Sequence, residues 1–471
     1  MNAHLLSLYH ALPATARTLT ASLCGWYLKA WRSGAARARL AEETLERDRW
    51  SASQWQSWRE ERLAFVLHRA ATTVPYYRQY WAARRRHGDQ ASWELLENWP
   101  LLEKEPLRVN PRGFLAEDCD PRRMLPEQTS GTTGTPLQLW RSRATLTTLY
   151  AIATTRTRGW DGVPQNARWA RLGGRLVTPV PQRRPPFWVW NAAMRQLYMS
   201  SYHLAPDLIP HYLDALAWYR VAYISGYPSA IQALAREAIR LGRRDLRLLA
   251  VYTNAEALSP EQRQAMAAAF QCPVRQTYGM AESVAAASEC AAGRLHQWPE
   301  IGHIERLPDG ELMCTGLLNA DMPLIRYRVG DRGRLVANPT PCSCGRTLPA
   351  LETIEGRSDE VLVTADGRTI GSLDPIFDGM EAIREAQIIQ EQLDLVRVRV
   401  APAPGFSDAH ERSIAVNVRE RMGEVRVLVE RVDVLPRSAN GKLRAVLCQL
   451  TAAQRQDALA RSMSAAVAHA N

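Results

Sequence analysis

Thr129-Ser130-Gly131-Thr132-Thr133-Gly134-Thr135-Pro136 is the stretch on which the reading of this chain turns. Its glycines let the backbone curl so that successive amides point inward. Its hydroxyls supply further donors to the same place, which is the make-up of a phosphate cradle. The glycine spacing and Lys-Ser/Thr ending of a Walker loop are absent. Alone, the segment is as compatible with an ordinary polar turn, so the flanking sequence has to decide.

From about 125 to 335, short apolar or alternating runs such as Leu248–Tyr252 and Pro323–Tyr327 alternate with helical stretches such as Ala230–Leu241, a pattern that predicts α/β architecture. Upstream, Trp55, Trp58, Leu63, Phe65, Val66 and Leu67 recur at roughly helical spacing, with a break at Val74-Pro75. Residues 336–357 are rich in Pro, Cys and Gly and read as an ordered loop approaching a hinge. Beyond them a hairpin turning at Asp366-Gly367 and alternating runs at Leu395–Val400 and Val425–Val432 predict a small α+β domain. The Ala-rich tail after about 451 reads as helical. The expected division is a helical extension over 1–100, a large domain over 101–357 and a small mobile lid over 358–471.

A length of 471 residues exceeds what one hydrophobic core usually supports, in keeping with that division. An apolar share of 46% with 23% charged residues is ordinary for a folded domain. No run approaches the ~20 apolar residues of a membrane span. Met1–Thr20 is interrupted by His4, His10, Pro13 and Arg17, unlike a secretory leader, so a cytoplasmic location is expected. Trp26, Tyr27, Leu28 and Trp31, with the arginines after them, are compatible with peripheral contact at an anionic membrane, although a helix packed on its own domain is the simpler expectation. Oligomeric state, monomer or homodimer, is not legible. The net charge of +11 comes from scattered arginines without a basic block interleaved with aromatics, which argues against nucleic acid. Lysine occurs only at Lys29, Lys104 and Lys442. Against that background a lysine inside a motif is there because a compact ammonium does what a guanidinium does not.

Five further segments follow the first in a fixed order: Thr253-Asn254-Ala255-Glu256, Tyr278-Gly279-Met280-Ala281-Glu282, Tyr327-Arg328-Val329-Gly330-Asp331, Gly356-Arg357-Ser358-Asp359, and Pro436-Arg437-Ser438-Ala439-Asn440-Gly441-Lys442. Together, over about 125–445, they resemble the adenylate-forming superfamily of acyl-CoA synthetases, peptide-synthetase adenylation domains and luciferases. The helical start ending in Val74-Pro75-Tyr76-Tyr77, the turn Gly226-Tyr227-Pro228-Ser229, and Ile325–Arg328 look most like the phenylacetate-CoA ligase branch, which includes relatives from capsule and polysaccharide loci.

The resemblance implies roles residue by residue. Ser130, Gly131, Thr132, Thr133 and Gly134 would hold the pyrophosphate end of ATP, and Asn254, Ala255 and Glu256 would line adenine. Tyr278 would stack on adenine beside Gly279, Glu282 would hold Mg²⁺, Asp331 would take the ribose hydroxyls, and Arg357 would belong to the nucleotide site. Asp359 would be the hinge, and Lys442 would bridge the substrate carboxylate and the α-phosphate. Two positions depart from the pattern: Thr135 stands where lysine is frequent, and Ala281 where a phosphate-binding hydroxyl usually sits, with Ser283 as a stand-in. Tyr202 and His203 are candidates for the acyl pocket, a hydrogen-bonded core histidine being the alternative.

A second constellation is independent of the nucleotide motifs. Cys290-x5-His296 followed by Cys342-x-Cys344 supplies three thiolates and an imidazole, the set that closes a tetrahedral structural Zn²⁺ site. Its alternative is reduced thiols beside a surface histidine. The overall expectation is a ligase that uses ATP and Mg²⁺ to activate a small carboxylic acid, aryl or arylacetic by resemblance, as acyl-AMP and then passes it to coenzyme A. An adenylating enzyme that delivers the acyl group to an amine, a hydroxyl or a carrier protein shares every nucleotide motif. A degenerate nucleotide binder is opposed by the retained Glu282, Asp331 and Lys442.

Overall fold

A computed structural model describes residues 3–32, 34–128, 137–205, 207–256, 258–308, 310–336, 341–354, 362–370, 374–377, 380, 382–433, 435–436, 446–451, 453–455 and 457–458. Ser130 to Gly134, Arg357, Asp359 and Lys442 lie outside the described residues, as does the expected boundary at 357/358.

The chain opens with helices α1 (Ala3–Ala11), α2 (Ala14–Arg32), α3 (Ala35–Arg47), α4 (Ala52–Thr73) and α5 (Pro75–Arg86). Helix α4 starts at a capping box: Gln54 N–H donates to the Ser51 hydroxyl at 3.2 Å, and Ser51 N–H to the Gln54 side chain at 2.8 Å. It stops at Val74 because proline excludes the helical conformation from the residue before it, and Pro75 opens α5. Tyr77 on α5 is fully buried, and its hydroxyl accepts the Ile325 N–H at 3.0 Å, which ties these helices to the large domain.

That contact corrects one expectation. Pro323–Tyr327 is not a strand: Arg326 sits at φ 48°, and a strand begins only at Tyr327. Residues 323–325 instead bond locally, Gly316 N–H to the Leu324 carbonyl at 2.9 Å.

A two-stranded ribbon, β1 (Leu125–Gln128) and β2 (Gln138–Arg141), brackets the phosphate-loop segment. After α6 (Lys104–Val109) and α7 (Arg143–Thr154) the main sheet is built from β3 (Trp169–Gly173), β4 (Trp188–Asn191), β5 (Gln196–Ser200), β6 (Tyr223–Gly226), β7 (Ala250–Thr253) and β8 (Val274–Gly279). It continues through β9 (Ala286–Glu289), β10 (Leu295–Gln297), β11 (Gly302–Arg306), β12 (Glu311–Gly316), β13 (Tyr327–Leu335) and β14 (Ala350–Ile354). The order is β11-β12-β13-β14-β10-β9-β8-β7-β6-β3-β5-β4. Strand β14 lies inside the stretch expected to be only loop.

The block β8-β7-β6-β3-β5 is parallel, and the strands from β9 to β11 form an antiparallel wing. Helices α8 (Ile209–Trp218), α9 (Pro228–Arg240) and α10 (Pro260–Phe270) bury Leu213, Leu234 and Phe270 on the parallel block. The wing packs on α4 and α5 through Val66, Tyr77, Leu324 and Tyr327. Gly226 ends β6 where a Cβ would lie 2.2 Å from the Leu172 carbonyl oxygen, so only glycine permits the close approach to β3.

Residues from 362 onward form the small α+β unit. It holds a hairpin, β15 (Leu362–Val363) with β16 (Thr369–Ile370), and the sheet β19-β18-β17-β20. The sheet's strands are β17 (Ile383–Gln392), β18 (Leu395–Pro402), β19 (Arg426–Arg431) and β20 (Val446–Cys448), with α11 (Asp408–Met422) packed against it. The hairpin turns at Gly367, φ 79°, as expected. Among the described residues no helix is long and apolar enough to cross a membrane.

Candidate active site and metal-ligand cluster

In a sheet with parallel strands, ligands gather at the carboxyl ends, where loops leave the strands and helix N-termini point inward. Strands β6 and β7 end side by side at Gly226 and Thr253, and β8 runs on from Gln276, the partner of Thr253, to Gly279. Asn254 leaves β7 with its N–H on the Gly226 carbonyl at 3.0 Å, and Ala255 takes a left-handed φ of 68°. The turn throws Glu256 onto α9, where its carboxylate accepts the N–H and the hydroxyl of Ser229, both at 3.0 Å. A carboxylate on the first turn of a helix is stabilised by the exposed amides and the dipole there. Glu256 thereby fixes the turn between β7 and α9, a link that sequence reading missed although both segments were singled out.

The segments 278–282 and 327–331 meet. The Tyr278 hydroxyl donates to Asp331 Oδ2 at 2.9 Å, and the Tyr327 hydroxyl to Glu282 Oε1 at 3.0 Å. Strand β13 thus carries one partner for each end of the β8 turn. Beneath them the buried Cys314 thiol is pushed well above its ordinary value by burial, and further by Asp331, Glu305 and Glu282. Arg141, at the end of β2, donates to the Ala281 carbonyl at 2.7 Å and pairs with Glu127, holding the ribbon around the phosphate-loop segment against the Glu282 turn. Ser283 is 3% exposed, and its hydroxyl faces the Ala281 carbonyl at 3.5 Å.

Tyr202 and His203 are 1% and 0% exposed. His203 stacks on Phe187 at 5.2 Å and meets the Pro179 carbonyl at 3.2 Å, and burial, against that contact, pushes its pKa down to about 4. The Tyr202 carbonyl accepts from Arg368 at 2.7 Å, and the Arg421 guanidinium lies 5.5 Å over its ring. Both side chains stand in packed interior where the small unit meets the large one, not on an open pocket wall.

Cys290, His296, Cys342 and Cys344 converge, with all four ligand atoms within 4.8 Å of one another. The Cys290 and Cys342 sulfurs are 3.7 Å apart, and Cys344 Sγ is 3.4 Å from His296 Nε2. Bonds of about 2.3 Å to sulfur and about 2.05 Å to nitrogen give a tetrahedron with S···S edges of about 3.8 Å and S···N edges of about 3.6 Å. The donor set therefore fits Zn²⁺ in chemistry and size. His296 Nδ1 lies 3.1 Å from the Leu348 carbonyl, and donation there leaves Nε2 facing the cluster. Burial pushes the Cys290 thiol up to about 11. Cys344 is also raised by burial, but the Arg346 N–H and neighbouring thiols bring it below its ordinary value.

The cluster has a surround that the sequence did not announce. Trp160 meets His296 edge-on at 6.0 Å, Arg346 lies 4.1 Å over Trp160, and Trp160 Nε1 donates to Asp48 at 2.6 Å. Fully buried Arg156 donates to Asp48 at 2.8 Å and to both oxygens of Glu300 at 2.6 and 2.9 Å. The cysteine loop is thereby joined to the end of α3.

Residues 362–449 match the family of the CapK C-terminal domain. CapK of Staphylococcus aureus is 24% identical over 307 residues, which are 64% of this chain and 68% of CapK. Phenylacetate-coenzyme A ligase of Pseudomonas putida is 26% identical over 324 residues, 64% of this chain and 70% of the ligase. 2-Hydroxyisobutyryl-CoA ligase, solved with 2-HIB-AMP and CoA in the thioesterification state, superimposes with a TM-score of 0.53 at 20% identity over 89% of this chain and 94% of that one. The fold is the adenylate-forming one, and the likeness in sequence is to CapK and to phenylacetate-coenzyme A ligases. Within the adenylate-forming fold the segments 253–256, 278–282 and 327–331 gather at one sheet edge, while the Cys290, His296, Cys342 and Cys344 cluster stands at the β9–β10 turn.

Proposed function

We propose that the protein is an ATP-dependent carboxylic acid–CoA ligase. The carboxylate of a small acid attacks the α-phosphorus of ATP and pyrophosphate leaves. The thiol of coenzyme A then attacks the acyl carbon and AMP leaves. The observation that carries this reading is the pairing of Tyr278 with Asp331 and of Tyr327 with Glu282 at the carboxyl edge of the parallel strands. It supports the reading because an aromatic ring and two carboxylates are what adenine, the ribose hydroxyls and Mg²⁺ would each require.

Tyr278 stacks on adenine, Asp331 exchanges its tyrosine contact for the ribose, and Glu282 holds Mg²⁺, whose chemistry is to neutralise the departing pyrophosphate. Thr129 to Thr135 cradle that pyrophosphate. Lys442 places its ammonium between carboxylate and α-phosphate, and Arg357 lies at the nucleotide. Positioning and electrostatics supply nearly all of such catalysis. The small unit turns about Asp359 between the two half-reactions, a recognised way of presenting two faces to one cavity. The zinc cluster is structural, since four protein ligands leave no open position. An aryl or arylacetic acid is the favoured substrate.

Transfer to an amine, hydroxyl or carrier protein is a second reading, which shares every nucleotide motif with the first. Pyrophosphate release across a panel of carboxylic acids tests the first half-reaction, and an acceptor panel with the best acid tests the second. Release with no acid of the panel would sink the ligase reading. Release followed by transfer to a non-thiol acceptor alone would replace coenzyme A.

A further inference from the structure

Helices α1 and α2 keep one apolar face off the rest of the protein. On α2, Leu19, Leu23, Trp26 and Tyr27 recur every three or four residues, so they share one side of the helix, and they are 61%, 61%, 65% and 57% exposed. Leu5 and Leu8 on α1 are 54% and 57% exposed. Among the described residues, seven of the seventeen exposed large apolar side chains fall within residues 5–27. The stripe is not an undocked core face, because the other side of α2 is docked. Gly25 is buried against the Asn191 side chain, Arg17 donates to Thr178 and to Gln182, and the Ser22 hydroxyl donates to the Trp190 carbonyl at 3.2 Å. Of the four residues whose exposure the sequence left open, Leu28 and Trp31 turn partly inward while Trp26 and Tyr27 stay out.

Charge around the stripe has one sign. Residues 1–41 contain Arg17, Lys29, Arg32, Arg37 and Arg39 and no carboxylate side chain. Exposed Arg143 donates to the Tyr27 hydroxyl at 3.1 Å, at the edge of the stripe. Arg32 lies over the rings of Trp31 at 4.8 Å and Tyr150 at 4.3 Å, and its buried Nε has no hydrogen-bond partner. Arg37 donates to Thr154 Oγ1 at 3.1 Å, and Arg158 to the Tyr223 hydroxyl at 3.1 Å. None of Arg32, Arg37, Arg143 and Arg158 pairs with a carboxylate among the described residues, whereas Arg69, Arg156, Arg275 and Arg328 each do. Arg37 is held below the ordinary guanidinium value by burial and by the like charges of Arg158 and Arg32.

An apolar stripe with Trp and Tyr on it, bordered by cations that lack counter-charges, is the make-up of a helix lying in a bilayer interface. A second copy of this chain would bring the same uncompensated cations face to face, which opposes self-association through this surface. Anionic headgroups supply the charge that is missing. We propose that α1 and α2 seat the protein on an anionic phospholipid bilayer, with Leu23 and Trp26 entering the acyl boundary and Lys29, Arg32 and Arg143 meeting lipid phosphates.

The test is co-sedimentation of the full chain with phosphatidylcholine vesicles that do or do not contain phosphatidylglycerol. Binding should require the anionic lipid and weaken with salt. Leu23→Glu and Trp26→Glu should each weaken it by about tenfold or more, the loss of one buried apolar side chain. Lys29→Gln and Arg143→Gln should each cost about fivefold. Both glutamate positions are more than half exposed, so the melting temperature should not move. No binding to anionic vesicles, equal binding to neutral ones, or binding indifferent to these variants would overturn the proposal. So would a dimer in solution that Leu23→Glu dissociates, since a second copy would then own the face.

Discussion

Replacing Cys344 with serine removes one of four ligands from a cluster already spaced for a tetrahedral ion. Two edges, of 3.7 Å and 3.4 Å, lie within about 0.2 Å of the tetrahedral values, and the ion's affinity goes into holding residues 290–296 to residues 342–344. If only the folded state binds, free zinc at a thousand times its dissociation constant stabilises that state by about 4 kcal/mol. A domain of more than 200 residues shifts by about 2 °C per kcal/mol, so losing the ion should lower the unfolding midpoint by about 8 °C. The assay is metal analysis of protein purified without added zinc, with thermal unfolding before and after chelation. Wild type should carry one equivalent and fall by that amount on chelation. Cys344→Ser should carry much less and start near the chelated value, and Cys272→Ser, a free cysteine outside the cluster, should match wild type. Folded wild-type protein with zinc near zero and a midpoint indifferent to chelator would refute the reasoning.

Lys442→Ala should lose most acyl-adenylate formation yet still convert a chemically prepared acyl-AMP to thioester; normal adenylation would remove lysine from its role. Asp359→Pro, which fixes φ near −65°, should separate the two half-reactions, and equal loss of both at an unchanged melting temperature would sink the hinge assignment. Tyr327→Phe takes a donor from Glu282 and should slow Mg²⁺-dependent adenylation by about tenfold to a hundredfold, the worth of a hydrogen bond to a charged group, so an unchanged Mg²⁺ dependence would argue against that carboxylate as the metal's holder. His203 has its folded pKa depressed to about 4 from 6.5, so its contribution is complete above about pH 6.5 and is lost as pH falls toward 4. Stability measured from pH 7 down to 4 should therefore decline less steeply in His203→Gln than in wild type, and parallel curves would contradict a neutral buried imidazole.

The local rules of the chain were legible where one residue settles the backbone. Pro75 ends α4 at Val74, Gly367 turns the hairpin of the small unit, and the alternation over 395–400 and 425–432 marks β18 and β19. The ligand types of the metal cluster could be read because sulfur and imidazole at short spacing have few other uses, but their convergence needed the β9–β10 turn and the loop after 341 to fold toward each other. Motif order likewise named Tyr278, Glu282 and Asp331, while the hydrogen bonds that join them run between strands 45 and 53 residues apart in sequence.

Other features had no local signal at all. Alternation marks a strand whether its neighbours run parallel or antiparallel, so the order of the main sheet and the carboxyl edge it creates came only from long-range pairing. Pro323–Ile325 satisfies the strand pattern yet is not one, because Tyr77 from α5 takes its backbone donor. Glu256 reads as a turn residue until Ser229 is seen beneath it. The exposure of Leu23 and Trp26 belongs to the same class. A helical period gives the angle between two faces of α2, but which face meets Asn191 and which meets solvent was decided by the surface on which the helix came to rest.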